Sequence, residues 1–344
     1  MHRYRQIAEN KRLSRYIDVK SSGILDHKID ECRKLMESCC LCERRCGINR
    51  LAGEVGFCGV GEQCRISLEQ ILCGEEAPLV PSHEVFFTGC NLRCKYCYSW
   101  QSVIDPQRGR LVCAEELADI VSARKNEGAV NLNLIGGEPT VNLLAILETI
   151  KCLDVSTAVV WNSNFYMSQE CMQLLDSIVD LYVGDFRFGC DECARSIAGV
   201  KDYTEIAKRN FLFASKSADI IIRHLVIPGH IECCFKPIAE WVSHNIPDIP
   251  FNLMFQYTPF YEALDDMQLS CSLSDDEKQR AMEIAELYNL NIESWKIPLQ
   301  DISDKYPAGA GDIETTITIR PDGKVCILHV HKELLDIVNA LEHD

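Results

Sequence analysis

The chain has 344 residues, 47% of them hydrophobic and 25% charged, which suits one large domain plus a small one and excludes a disordered chain. Its 35 lysines and arginines against 51 aspartates and glutamates give a net charge of −16, which disfavours nucleic acid and leaves proteins or small molecules as partners. No apolar run reaches the roughly 18 residues of a membrane span, and the N-terminus Met-His-Arg-Tyr-Arg-Gln lacks a secretory apolar core. Twenty cysteines in such a chain then read as reduced, cytoplasmic thiols and metal ligands rather than as a disulfide scaffold. Cys113, Cys152, Cys171 and Cys271 lie in apolar or helical contexts and are expected to be small core residues.

Residues 1–80 predict a helical start followed by a cysteine- and glycine-rich segment. Within it, Cys39-x2-Cys42-x3-Cys46-x11-Cys58 gathers four thiols where little core is available, as in a closed metal site. Zinc or iron accepts such ligation, and a second iron–sulfur cluster relaying electrons is the more functional reading. Free thiols packed under the main domain are the alternative, and Cys40 and Cys64 are nearby substitutes.

Over residues 81–300 strand and helix signals alternate. Apolar runs at 84–88, 131–135, 157–161, 180–185, 219–227 and 251–256 predict strands. Helices are expected at 114–126, 141–151, 168–178, 202–214 and 231–244, and a sixth near 274–288 opens on the capping box Ser274-Asp-Asp-Glu277. Such alternation predicts βαβ units around a parallel sheet, two units short of a closed eightfold barrel. Residues 301–344 read as a hairpin turning at Pro321-Asp322-Gly323, then a helix over 331–342, with His329 and His331 on one strand face at the surface.

The first of these strands runs into Cys90-x3-Cys94-x2-Cys97. Three thiolates from one tight loop can hold three corners of a [4Fe–4S] cubane, leaving one iron open to a small molecule; a zinc knuckle is the plainer alternative. Other strand ends carry chemistry too. The second ends in Gly136-Gly137-Glu138-Pro139, where glycines admit a close ligand or simply make a turn. Asn162 and Asn164 close the third, with amides fit for a ribose or carboxylate, or for a turn. Cys190-x2-Cys193 follows the fourth and could supply an extra ligand or a hydrogen atom, although adjacent loop thiols are commonly incidental.

The cysteine spacing, with the aromatic Tyr96 before its third thiol, resembles the radical S-adenosylmethionine (SAM) enzymes. The resemblance implies that the open iron chelates the amino and carboxylate groups of SAM. One electron then splits the sulfonium into methionine and a 5′-deoxyadenosyl radical. It further implies an α/β fold, a partial (β/α)6 TIM-like barrel with chemistry at the C-terminal strand ends, here joined to a small cysteine-rich N-terminal module. Gly136, Gly137, Glu138 and Pro139 match the family segment against the methionyl amino group. Asp185-x-Arg187 stands where related activating enzymes carry Asp-x-Lys, Arg223 where an arginine reaches the methionyl carboxylate, and Gln256 beside the adenosine half.

The N-terminal run, Phe86-Phe-x-Gly-Cys and Arg223-His-Leu-Val-x-Pro-Gly are similar to a subfamily related to the pyruvate formate-lyase activating enzymes, over roughly 39–260. That likeness implies an electron donor such as flavodoxin or ferredoxin, and a glycyl radical enzyme as substrate. The cysteine-rich module departs from the simplest activases, so modification of another protein, peptide or metabolite is the alternative. A non-catalytic iron–sulfur electron-transfer protein is the reading from another class. No general acid or base separate from the cluster site stands out.

Overall fold

Apolar, β-branched runs without polar alternation need cover on both faces, and parallel sheets provide it. In the computed structural model, which describes residues 1–74 and 76–292 and the backbone of two later strands, all six expected runs become parallel strands. Three helices open the chain: α1 (His2–Ala8), α2 (Arg15–Ser21) and α3 (Ile24–Glu37). After the cysteine-rich segment come β1 (Arg65–Leu72), β2 (Ser82–Phe87), α4 (Trp100–Ile104), β3 (Arg110–Leu111) and α5 (Ala114–Asn126). Then follow β4 (Asn131–Gly136), α6 (Leu143–Cys152), β5 (Ala158–Ser163), α7 (Gln169–Leu175), β6 (Leu181–Asp185), α8 (Asp191–Ala198) and α9 (Tyr203–Ser217). The last units are β7 (Asp219–Leu225), a π-turn (Ile231–Phe235) continuing into α10 (Lys236–Asn245), β8 (Phe251–Met254) and α11 (Asp275–Leu287).

The sheet order is β3-β1-β2-β4-β5-β6-β7-β8, parallel from β2 onward and antiparallel at the β1 and β3 flank. Its two end strands do not pair, so this is an open, partial (β/α)6 barrel. Pairs such as Phe87 with Gly136, Ser163 with Gly184 and Asp185 with Arg223 bring the C-terminal strand ends to one rim. The opposite rim is closed by α1, whose Tyr4 and Ile7 pack on Leu79, Val160, Leu181 and Ile221. Asn131 Nδ2 donates to the Tyr4 hydroxyl at 2.7 Å. Beside it Ser14, the N-cap residue of α2, turns its hydroxyl away from the helix and donates to buried Asp180 at 2.6 Å.

The capping box of α11 forms, with Ser274 Oγ and the Glu277 carboxylate serving each other's backbone amides. Of the four cysteines expected in the core, only Cys171 is buried; Cys152 is half-buried, and Cys113 and Cys271 are exposed. Cys113 sits at the N-cap of α5, where its sulfur meets the Glu116 amide at 3.5 Å, and a cap position faces solvent. The hairpin strands appear as the antiparallel pair β9 (Ile313–Ile319) and β10 (Val325–His331). The expected turn at 321–323, the helix beyond 331 and the side chains of His329 and His331 lie outside the described residues. Among the described residues, no helix is long and apolar enough to cross a membrane.

Candidate functional site

At the end of β2, Gly89 (φ +76°) turns the chain into the cysteine loop. Cys90 and Cys94 are buried and Cys97 half-buried, all three on the wall of one cleft of about 660 Å³. The loop's shape is held from outside. The Arg93 and Lys95 amides donate to the Ala198 and Ile197 carbonyls at the end of α8, at 3.0 and 2.9 Å. The Arg93 guanidinium donates to the Cys90 and Leu92 carbonyls at 2.8 and 2.9 Å. Donors also converge on the first sulfur: the Leu92 amide at 3.4 Å and Asn164 Nδ2 at 3.7 Å. Burial pushes the Cys90 thiol well above its usual range; it raises Cys94 too, against the opposing pull of Arg187.

Gly136 and Gly137 form the facing edge, and both are required by contact. A Cβ on Gly136 (φ +117°) would stand 2.3 Å from the Phe87 nitrogen, and one on Gly137 2.0 Å from the Gly89 carbonyl oxygen. Only bare backbone lets β4 pass this close under the cysteine loop. Glu138 is an internal brace: its Oε1 accepts from Ser163 Oγ at 2.8 Å and from the Thr140 hydroxyl, and its Oε2 from the Asn164 amide at 3.0 Å. It thereby ties the ends of β4 and β5.

A second cleft, of about 730 Å³, is lined by Ile135 through Glu138, Asn162 to Asn164, Asp185, Arg187, Arg223, Leu225 and Met254. It shares Gly136, Gly137, Asn164, Arg187 and Leu225 with the first, so the two are contiguous. Two polar atoms in this wall are buried without a hydrogen-bond partner, Asn162 Nδ2 and Arg187 Nε. The two arginines are already engaged internally. Arg187 pairs with Asp185 at 2.5 Å. Arg223 Nε donates to Glu76 at 2.7 Å, and Asn252 Nδ2 reaches the same carboxylate at 2.8 Å. The Arg223 guanidinium outweighs the cost of burial and holds the Glu76 carboxyl below its ordinary range. Gln256, beyond the end of β8, is exposed and lines neither cleft.

Glu76, Leu225, Met254 and the half-exposed Ser99 were not foreseen as neighbours of the site. The apolar wall residues had a signal, since Leu225 and Met254 each end a strand on the same rim. Glu76 had none, standing 147 residues from Arg223 in sequence.

The N-terminal thiols Cys39, Cys42, Cys46 and Cys58 converge on one recess, which Cys40 and Cys64 do not line. Positive-φ turns at Arg45 and Gly47 fold the segment back, and the Gly47 amide closes on the Cys39 carbonyl at 3.0 Å. Among the described residues, no three of these thiols stand within 4.8 Å of one another, and the same holds for Cys90, Cys94 and Cys97. The recess also abuts the cysteine loop. Phe57 lies under Arg44 and Arg93, 3.7 and 4.5 Å from its ring centre, while Arg44 Nε donates to the Asn91 carbonyl at 2.8 Å.

The residues thus fit a three-thiolate cluster beside a cleft with orphaned donors and apolar walls. Residues 85–242 match the model of the radical SAM superfamily. Over 276 residues the chain is 41% identical to an uncharacterized protein of Methanocaldococcus jannaschii, covering 78% of this chain and 80% of that one. It is 39% identical over 181 residues to the 7-carboxy-7-deazaguanine synthase of Methanothermobacter thermautotrophicus, with 49% and 72% covered. It is 25% identical over 150 residues to the pyruvate formate-lyase 1-activating enzyme of Escherichia coli, with 42% and 60% covered. Among solved structures, Streptococcus suis SuiB bound to S-adenosylmethionine aligns at 16% identity and TM-score 0.44, over 63% of this chain and about half of that one. With the matched stretch running from β2 into α10, across the cysteine loop and the glycine edge, the chain belongs to the radical SAM superfamily, whose members imply a [4Fe–4S] cluster and SAM.

Proposed function

We propose that the protein cleaves SAM reductively and uses the resulting radical to take a hydrogen atom from a substrate. The observation that carries this is the contiguous cleft in which Cys90, Cys94 and Cys97 face Gly136, Gly137 and the unpartnered amide of Asn162. A [4Fe–4S] cluster on the three thiolates would supply the electron and the open iron for splitting the sulfonium. The chain's own part is position. Its glycine edge admits the methionyl end close to the cluster loop, Asn162 offers Nδ2, and Arg187 offers Nε while its Nη2 is held by Asp185. Leu225 and Met254 keep water from the adenosine side. The electron would come from a donor such as flavodoxin or ferredoxin, in the cytoplasm that so many reduced thiols suit. The N-terminal thiols, packed on the cysteine loop through Phe57, suit a second cluster that relays that electron.

The preferred substrate is a polypeptide, the backbone glycine of a glycyl radical enzyme. Among the described residues, an aromatic lip borders the cluster cleft: Tyr98 is 77% exposed and meets Phe260 edge-on, and Trp100 stacks on Tyr261. Exposed aromatics of this kind are suited to packing against a protein segment. A second reading, a small-metabolite substrate, draws on the similarity to a 7-carboxy-7-deazaguanine synthase. Anaerobic reconstitution with SAM and a reductant tests the class: 5′-deoxyadenosine is expected, and none from protein with an intact cluster would sink the proposal. Deuterium passing from a labelled glycyl radical enzyme into that product separates the two substrate readings.

A further inference from the structure

At the N-terminal end of α8, one turn before the carbonyls that hold the cysteine loop, four further donors meet that the proposed SAM site does not use. Cys193 Sγ lies 3.6 Å from Cys233 Sγ, and both lie 3.4 Å from His230 Nδ1. Cys234 Sγ joins them, all four atoms falling within 4.8 Å of one another. Among the described residues this is the one set of three or more such donors drawn so close. We infer that Cys193, His230, Cys233 and Cys234 form a Cys3His site for a single thiophilic divalent cation, zinc by preference, which clamps α8, after β6, to the π-turn after β7.

The distances carry the inference. Zinc–sulfur bonds of about 2.3 Å and zinc–nitrogen bonds of about 2.0 Å in a tetrahedron give edges of about 3.8 and about 3.5 Å. The Cys193–Cys233 separation and the distances from both sulfurs to His230 Nδ1 lie within about 0.2 Å of those edges, and Cys234 Sγ stands within 4.8 Å of all three. A disulfide would need its sulfurs at about 2.05 Å, far closer than Cys193 and Cys233 stand. Packing of small core thiols has no need of an imidazole nitrogen at 3.4 Å from two of them. Neither cleft of the SAM site nor the N-terminal recess includes any of the four.

The backbone is shaped to bring them together. His230 follows Gly229 (φ +73°), and the chain then makes a π-turn over Ile231–Phe235, in which the amides of Cys234 and Phe235 both reach the His230 carbonyl, at 2.9 and 3.4 Å. The wide turn directs the consecutive Cys233 and Cys234 toward His230, and π-turns recur at functional positions for such reasons. Cys193 arrives from the first turn of α8, 40 residues away from Cys233. Gly189 permits the approach, since a Cβ there would stand 2.1 Å from the Cys234 carbonyl oxygen.

With all four positions filled by protein, the site is closed and its role is structural. Its reach extends to the cluster loop, because α8 ends in the Ile197 and Ala198 carbonyls that hold Lys95 and Arg93 on either side of Cys94. The ion would therefore fix the helix that fixes the loop.

The test uses full-length protein, purified reduced, reconstituted with iron and sulfide and washed with chelator. Zinc-edge X-ray absorption should give a first shell of about three sulfurs near 2.3 Å and one nitrogen near 2.0 Å. Cys233→Ser and Cys193→Ser should each lose about one equivalent of zinc per chain while iron stays at the wild-type level. An all-sulfur shell, unchanged zinc in both variants, or loss of several irons instead of one zinc would each overturn the inference. The wild-type spectrum decides the matter even where a variant fails to fold.

Discussion

Gly137→Ala tests whether the glycine edge sets the position of the cluster loop. The added Cβ would stand 2.0 Å from the Gly89 carbonyl oxygen and 2.8 Å from its carbon, where ordinary contact begins at 3.4 Å. The carbonyl must retreat by about 1.4 Å, and a packed interior does not yield that distance freely. Gly89 has little room of its own, for a Cβ there would meet Val60 at 2.2 Å and the Cys58 carbonyl at 2.8 Å. Overpacking of this kind costs about 1–3 kcal/mol. Because Gly89 directly precedes Cys90, the strain falls on the first cluster ligand proposed here. A displacement of about 1 Å at a reacting centre lowers rates on the order of a hundredfold. We expect Gly137→Ala to lower Tm by several degrees, to bind less iron on anaerobic reconstitution, and to release 5′-deoxyadenosine at least tenfold more slowly, in line with that misplacement. Gly74→Ala is the control, its nearest neighbour being Leu72 at 3.9 Å, and should match wild type. Wild-type iron content and wild-type 5′-deoxyadenosine release by Gly137→Ala would refute the reasoning.

Other outcomes follow from the same contacts. Asn162→Ala removes an unpartnered buried donor and should weaken SAM binding roughly 3- to 10-fold in equilibrium titrations; an unchanged Kd would take Asn162 out of the site. Hydrogen bonds from Arg124 and then His83 hold the Glu69 carboxyl down to about 2, from an ordinary value of 4.5. A carboxylate lowered in the fold stabilises it above the unfolded value and loses that contribution as pH falls through the folded one, so about 1–2 kcal/mol, discounted for solvent, should vanish between pH ~4.5 and ~2. Urea titrations of Glu69→Gln should show a flatter profile across that window, and a profile parallel to wild type would contradict the pairing. Ser14→Ala leaves Asp180 short of a 2.6 Å donor in a buried setting and should cost about 1–2 kcal/mol by urea midpoint, against no change if water substitutes. Cys58→Ser should lose the metal of the N-terminal recess while dithionite still drives SAM cleavage; retention of all metal would show that the recess thiols are free.

What the sequence disclosed was whatever lay within one short stretch. Six strands were legible because runs such as residues 158–161 are buried at every position and carry no polar residue. The cysteine loop and the glycine edge were legible for the same reason, each contained in under ten residues. β1 was not, since of Arg65–Leu72 only Ile66 is buried and its strand signal is weak. α8 was missed as a short, polar segment, Asp191–Ala198. Gln256 was expected on a strand end, but β8 stops at Met254, and past that point the alternation of faces no longer fixes where a side chain goes. The spacing Cys190-x2-Cys193 drew attention to the right helix and the wrong partner: Cys193 meets His230 and Cys233, from a loop that only the folding of β7 beside β6 brings near.

The same limit bears on the two arginines. By analogy with related enzymes each is a cation for the SAM carboxylate, yet in the fold each already faces a carboxylate of the chain, Asp185 for Arg187 and Glu76 for Arg223. Pairing removes most of the net charge these arginines could offer a ligand but fixes their planes, since a guanidinium held by a carboxylate keeps its remaining N–H vectors directed. In the SAM site proposed here, the ligand would be distinguished by the direction of Arg187 Nε and Asn162 Nδ2 more than by attraction at a distance. Long-range attraction is screened by salt within about 10 Å at 0.1 M, whereas contacts of directed donors are not. SAM affinity that holds nearly constant from low to moderate salt is what this arrangement requires, and a steep fall would mean that the internal pairs open to bind the ligand as free cations.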